Sequence, residues 1–281
     1  MPSTSGNVQN AGTLAHYMML DVIKTFAAAN GYTILRYDTA SFERELIMKA
    51  PGLSGTDSIF LGFKTYHNVA ADYYNMTVGT FTGYVSGNTF AGQPGAFISG
   101  IPAHNNRIDY WLSLNGQRII LAMKVGTPVY ESAYAGKFLP YATPGQYPYP
   151  VACGGMLVGE ATTRYSDTIH SMPYKGARST FKFWFNSGSY VQPTTWPWST
   201  NVYAASSGNY QLRDNNSQYA LLPVLVFDSN GIYGELDGIY FISGFNNAVE
   251  NTIVISGVTY VVIQDVYRTG FIDYYAMRMD A

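Results

Sequence analysis

Apolar and polar positions in this chain alternate with a period of two over most of its length, interrupted once, near the start, by a helical period. Within Thr13–Gly31, the residues Leu14, Met18, Val22 and Phe26 recur every fourth position, with Tyr17 and Ile23 beside them, which predicts one helix over residues 13–30. Thr13 is placed to accept the first free N–H groups, and Asn30-Gly31 tolerate left-handed geometry at a helix end. The small, polar residues 1–12 read as a flexible arm, or as a segment that orders only against a partner.

Beyond Gly31, branched and aromatic runs are punctuated by Gly, Pro and Asn, the pattern of antiparallel β structure. Strands are expected at residues 32–37, 44–49, 58–66, 73–84 and 180–186. Arg107–Leu114, Asn115-Gly116 and Gln117–Val125 predict a hairpin with a type I′ turn, since Asn-Gly accepts positive φ at both central positions. A second hairpin should join residues 252–256 to 258–266 through Ser256-Gly257, with a closing strand at 273–279. The fold class is mainly β, a sandwich or barrel-like set of antiparallel sheets behind one amino-terminal α-helix. Residues 31–281 form one large domain with a loop-rich insertion at about 140–218.

That insertion differs in character from its surroundings. Its segment Pro140–Pro150 holds four of the chain's 13 prolines, each lacking a backbone donor, so it is expected to be extended loop. Tyr141, Tyr147 and Tyr149 there, and Trp196 and Trp198 around Pro197, would be held stiffly outward, suited to a protein interface or to stacking on a sugar. Aromatics at alternate strand positions, such as Tyr32, Phe60, Phe81 and Phe183, are instead expected in the core or in cross-strand pairs.

Composition narrows the functions. Charged residues make up 12% of the chain and the net charge is −2, against roughly 25% charged in ordinary soluble domains. No electrostatic excess is present to hold a nucleic-acid backbone or an anionic membrane. With 25 Tyr, 15 Phe and 4 Trp the chain has ample surface to bury and is expected to fold. The single cysteine, Cys153, excludes an internal disulfide and a multi-thiolate zinc site. No run approaches the roughly 20 apolar residues of a membrane-spanning helix, and the amino terminus lacks a secretory signal's basic and apolar regions.

Motifs for chemistry are sparse. Gly52-Leu-Ser-Gly55 is one residue short of a nucleophile elbow, and no phosphate-binding loop is present. His16, His67, His104 and His170 lack the spacing that places two imidazoles on one face, so no metal or other cofactor is expected. Glu235 and Asp237, two apart, could share a strand face as paired glycosidase acids, but their turn-rich setting favours bonds to backbone amides.

Four segments together resemble a family of tailed-bacteriophage virion proteins: Phe42–Leu53, Tyr110–Arg118, Phe138–Pro150 and Tyr233–Asn251. The resemblance covers most of residues 31–279, leaves out 165–218, and brings no catalytic residues with it. It implies a structural, non-enzymatic part of the particle, made in the host cytoplasm and assembled in the tail, baseplate or neck. Its partners would be further copies of itself and other virion proteins. Few charges then fit an assembled surface, because charges are costly to bury between subunits. One interface is expected on the arm and helix, at Leu14, Tyr17 and Met18, and another on the proline-tyrosine loop. The alternative is a tail-tip module whose tyrosines and tryptophans bind a host-surface glycan, and less favoured again is a glycoside hydrolase.

Overall fold

The computed structural model describes residues 2–141, 150–184, 188–198 and 219–280. Its first half comprises β1 (Ser3–Gln9), the helix α1 (Ala15–Ala29), β2 (Thr33–Asp38), β3 (Glu45–Ala50), β4 (Ile59–Asn68), β5 (Tyr73–Phe81) and β6 (Phe97–Pro102). Next come β7 (Arg107–Leu114), β8 (Arg118–Val125), β9 (Val129–Lys137), β10 (Leu139–Pro140), β11 (Val151–Gly154), β12 (Leu157–Val158), β13 (Phe181–Trp184) and β14 (Tyr190–Val191). The chain closes with β15 (Thr194–Trp196), β16 (Leu222–Asp228), β17 (Gly231–Phe241), β18 (Thr252–Ile255), β19 (Val258–Gln264) and β20 (Tyr274–Arg278).

These strands form three antiparallel sheets, confirming the mainly β reading. One runs β1-β7-β8-β9-β11-β13-β14, a second β12-β6-β5-β4-β3-β2, and a third β15-β16-β17-β20-β19-β18 with β10 beside β17. The first sheet is the middle layer. Its β8 and β9 are buried on both faces almost throughout. On one side β9 packs against β4, β5 and β6. Facing the other way, Ser132 hydrogen-bonds the Tyr275 hydroxyl of β20 at 2.6 Å, and Arg118 lies 3.4 Å from the Asp237 carboxylate of β17. The helix packs on β1 and β7 and on β2, β4 and β5, closing one margin between the first two sheets.

The arm is where expectation and structure part most clearly. Ser3–Gln9 is a full strand on the edge of the middle sheet, paired antiparallel with β7 from Ser3 opposite Ser113 to Gln9 opposite Arg107. Its order comes from its own chain: Val8 is buried in the core and the Ser3 hydroxyl donates to the Met279 carbonyl at 2.7 Å. The helix also starts later than its sequence suggests. Leu14, not Thr13, holds the N-cap position and makes no side-chain cap bond. The first N–H groups go to a neighbouring segment instead, Ala15 to the Asn105 carbonyl at 2.9 Å and His16 to that of His104 at 3.1 Å. At the other end Asn30 and Gly31 behave as read: Asn30 Nδ2 donates to the Phe26 carbonyl and Gly31 has φ +89°.

Both hairpins form, with different turns. Ser256 and Gly257 have φ of +52° and +79° between Ile255 and its partner Val258, as a type I′ turn needs. At the tip of β7–β8, however, Asn115 and Arg118 face each other, and Gly116 lies outside the left-handed region. The Asn115 side chain accepts from the N–H groups of Gln117 and Arg118, so an Asx turn replaces the type I′ turn.

Candidate functional site

Strand β1 and helix α1 together form a surface feature that the interior leaves incomplete. In an antiparallel ladder, residues directed at the neighbouring strand alternate with residues whose N–H and C=O point away. The Leu114 N–H donates to the Pro2 carbonyl and the Asn10 N–H to that of Asn106, so even-numbered residues of β1 bond toward β7. Ser3, Ser5, Asn7 and Gln9 therefore turn their backbone groups outward, along an edge on which Ser5, Gly6, Asn7 and Gln9 are exposed. No residue of β1 carries a charge. Natural edges are usually protected against further pairing by charge, proline, bulges or brevity. Edge strand β2 has Arg36, Asp38 and a register shift, and β12 and β14 are two residues each.

Beside this edge, α1 presents an apolar flank. Its fully buried stripe is Ala15, Met19, Ile23 and Ala27, one position on from the stripe read in the sequence. Met18, Val22 and Phe26 are thereby left half-buried. Val22, Phe26 and Ala29 line a groove of about 420 Å³ with Thr4 and Tyr110, rimmed by Asp21 and Thr25. Gly6 makes room for the Tyr110 side chain: a Cβ there would lie 3.0 Å from its hydroxyl oxygen. On the opposite face of β1, a cleft of about 320 Å³ is lined by Ser3, Ser5, Trp111, Thr252, Thr259 and Tyr260, with Thr4, Val261 and Met279 completing a charge-free wall.

The side chains singled out from sequence fall elsewhere. Tyr17 is buried, with its hydroxyl on the Phe42 carbonyl at 2.8 Å and its ring under the Arg44 guanidinium at 4.0 Å, so its side chain is engaged within its own fold. Leu14 and Met18 are half-buried, Met18 against the chain's own core. Tyr141 is 59% exposed and donates to Glu235 at 2.9 Å. Tyr147 and Tyr149 lie outside the described residues. Trp196 is half-buried in β15, and Trp198 donates its indole N–H to the Ile272 carbonyl at 2.7 Å while meeting Phe241 edge-on. Trp198 is thus a bolt within the fold rather than an outward platform. Asp237 is buried as acceptor for Asn115 at 2.7 Å and Gln117 at 3.1 Å, which ties it to the β7–β8 tip and not to Glu235.

Two interior polar clusters had no sequence signal. Glu131, fully buried, meets His170 at 2.8 Å, and desolvation pushes its carboxyl up to about 7. Asp265, also fully buried, accepts from the Ser171 hydroxyl at 2.6 Å and the Met172 N–H at 2.7 Å, and pairs with Lys175 and Arg268. These contacts pin the 168–175 segment to the sheets. Among the described residues, no group of three or more His, Cys, Asp or Glu side chains is arranged to hold a metal ion, and no helix is long and apolar enough to cross a membrane. Comparison with protein-family models and with curated proteins returns no match, so the resemblance to phage proteins rests on its own motifs.

Proposed function

We propose that this chain is a structural subunit of a tailed-phage virion, assembling with itself and with neighbouring proteins in the tail, baseplate or neck. The observation that carries assembly is the unprotected edge of β1 beside the apolar flank of α1, while the place in a virion rests on the resemblance of the four sequence segments. A protein meant to remain alone is under pressure to block such an edge, whereas a subunit needs it. Burying the half-exposed Val22 and Phe26 side chains in a contact would contribute on the order of 1–2 kcal/mol each. Low charge suits that role, because neutral side chains enter an interface without a desolvation penalty for unpaired ions. Mass spectrometry of purified particles should find the polypeptide at a fixed, symmetric copy number, and labelled subunits should image at one level of the tail or neck. Particles that lack it would end the reading.

A second reading, binding of a neutral host-surface glycan, is favoured by one feature, the cleft lined by Trp111 together with Ser5, Thr252 and Thr259. An aromatic side chain among hydroxyl groups, without charge, matches an uncharged sugar better than an ionic ligand. Titration of neutral hexose and N-acetylhexosamine oligosaccharides against tryptophan fluorescence should then give saturable binding that Thr259→Val weakens. No saturation at millimolar sugar would remove it.

A further inference from the structure

We infer that β1 pairs with β1 of a second copy, antiparallel about a two-fold axis at Gly6; this rests on the assembly reading and names the partner. The outward N–H and C=O groups of Ser3, Ser5, Asn7 and Gln9 fix which residues can exchange bonds across the new seam. With the axis at Gly6, the whole strand is used: Ser3 faces Gln9 of the second copy, Thr4 faces Val8, Ser5 faces Asn7, and Gly6 faces its own equivalent. Each outward-bonding residue thereby meets another one. The closest backbone approach, at a pair that exchanges no bonds, falls on the one residue without a side chain.

Three properties of the edge favour a second copy over a foreign strand. It is neutral throughout, so antiparallel self-pairing opposes no like charges. A two-fold axis normal to the sheet also keeps faces matched. Thr4, Gly6 and Val8 lie on the side of α1 and Tyr110, while Ser5 lies on the side of Trp111. The second copy would therefore bring no bulky or charged side chain against the apolar groove, and serine, asparagine and glutamine would continue the hydroxyl-lined face. Finally, strand pairing alone falls short of the roughly 1,200–2,000 Å² of a stable interface. The axis brings the Val22, Phe26 and Ala29 flanks of both helices to the same side of the joined sheet, where they supply the remaining apolar contact.

The test is the oligomeric state of the full chain by sedimentation equilibrium, with circular dichroism confirming the fold of each variant. The wild type should dimerise. Asn7→Pro removes an outward N–H without touching the bonds to β7, and should weaken the dimer roughly tenfold or more. Ser5→Lys should do the same, because the axis sets the two lysines diagonally across the seam as like charges. Combining Ser5→Lys with Asn7→Asp should restore pairing, because the axis at Gly6 sets these two positions opposite each other. A monomeric wild type, a dimer indifferent to Asn7→Pro and Ser5→Lys, or a failed rescue would overturn the inference. A dimer that behaves as expected from a polypeptide missing from particles would instead leave the pairing standing and remove the virion role.

Discussion

Acid should loosen this protein through His16, and the size of the effect follows from its surroundings. The ring is fully buried on α1 and neither nitrogen has a hydrogen-bond partner. Its neighbours are Tyr17 at 4.3 Å, His67 at 5.3 Å and Tyr74 at 5.7 Å between ring centroids. Desolvation, followed by the nearby His67 and the Arg44 charge, lowers its pKa to about 3. A histidine whose folded pKa is depressed is neutral in the fold, so its stability contribution is complete above the unfolded value near 6.5. It is lost as pH falls from there toward 3. At pH 5 only the unfolded chain takes up the proton, which removes about 2 kcal/mol relative to pH 7; any folded pKa below about 4 yields the same figure. Glu131 acts with the opposite sign: its raised pKa favours the fold below its ordinary value, 4.5, and that advantage fades as pH rises toward 7. Comparing the wild type with His16→Phe cancels the Glu131 contribution, because phenylalanine keeps a buried ring and removes the titration. Urea unfolding at pH 7 and pH 5 should show the wild type losing about 2 kcal/mol more than the variant. Equal losses would refute the reasoning, since they would mean His16 has a partner or reaches solvent.

Arg118, fully buried beside Asp237 and Ser113, should be costly to truncate: Arg118→Ala leaves a buried carboxylate without its cation and should lower unfolding free energy by about 3–5 kcal/mol. Chemical denaturation monitored by tryptophan fluorescence measures it. The Cys153 thiol, buried and pushed up to about 12 by desolvation, should not react with a thiol reagent such as dithionitrobenzoate in the native state, and should react stoichiometrically once the chain is unfolded in urea.

The residues explain why some elements were readable and others were not. The hairpin from β18 to β19 is a local matter, since Ser256-Gly257 can adopt its turn whatever else the chain does. Strand β9, Val129–Lys137, lies at the centre of the molecule yet gives no strand signal, because Glu131, Ser132, Ala133, Ala135 and Gly136 have little β preference of their own. It is held by sheets on both sides. Small residues are needed there: Gly136 has φ +127°, and a Cβ would fall 2.2 Å from the Gln117 carbonyl oxygen. The Asx turn at Asn115 likewise depends on Asp237, 122 residues away, which fixes the asparagine side chain.

The candidate interface divides in the same way. Sequence alone determined that the chain is mainly β, that one helix follows a short polar segment, and that few charges would be available to any surface. Those properties follow from periodicity and composition, which act over a few residues at a time. Tertiary structure decided that the polar segment is an edge strand, that Val22 and Phe26 are held to the flank while Ala15 and Ala27 face inward, and that Trp198 is consumed by Ile272 and Phe241. The physical reason is that an open edge or a half-buried stripe is defined by what fails to pack against it, and that depends on where every distant strand finds its partner.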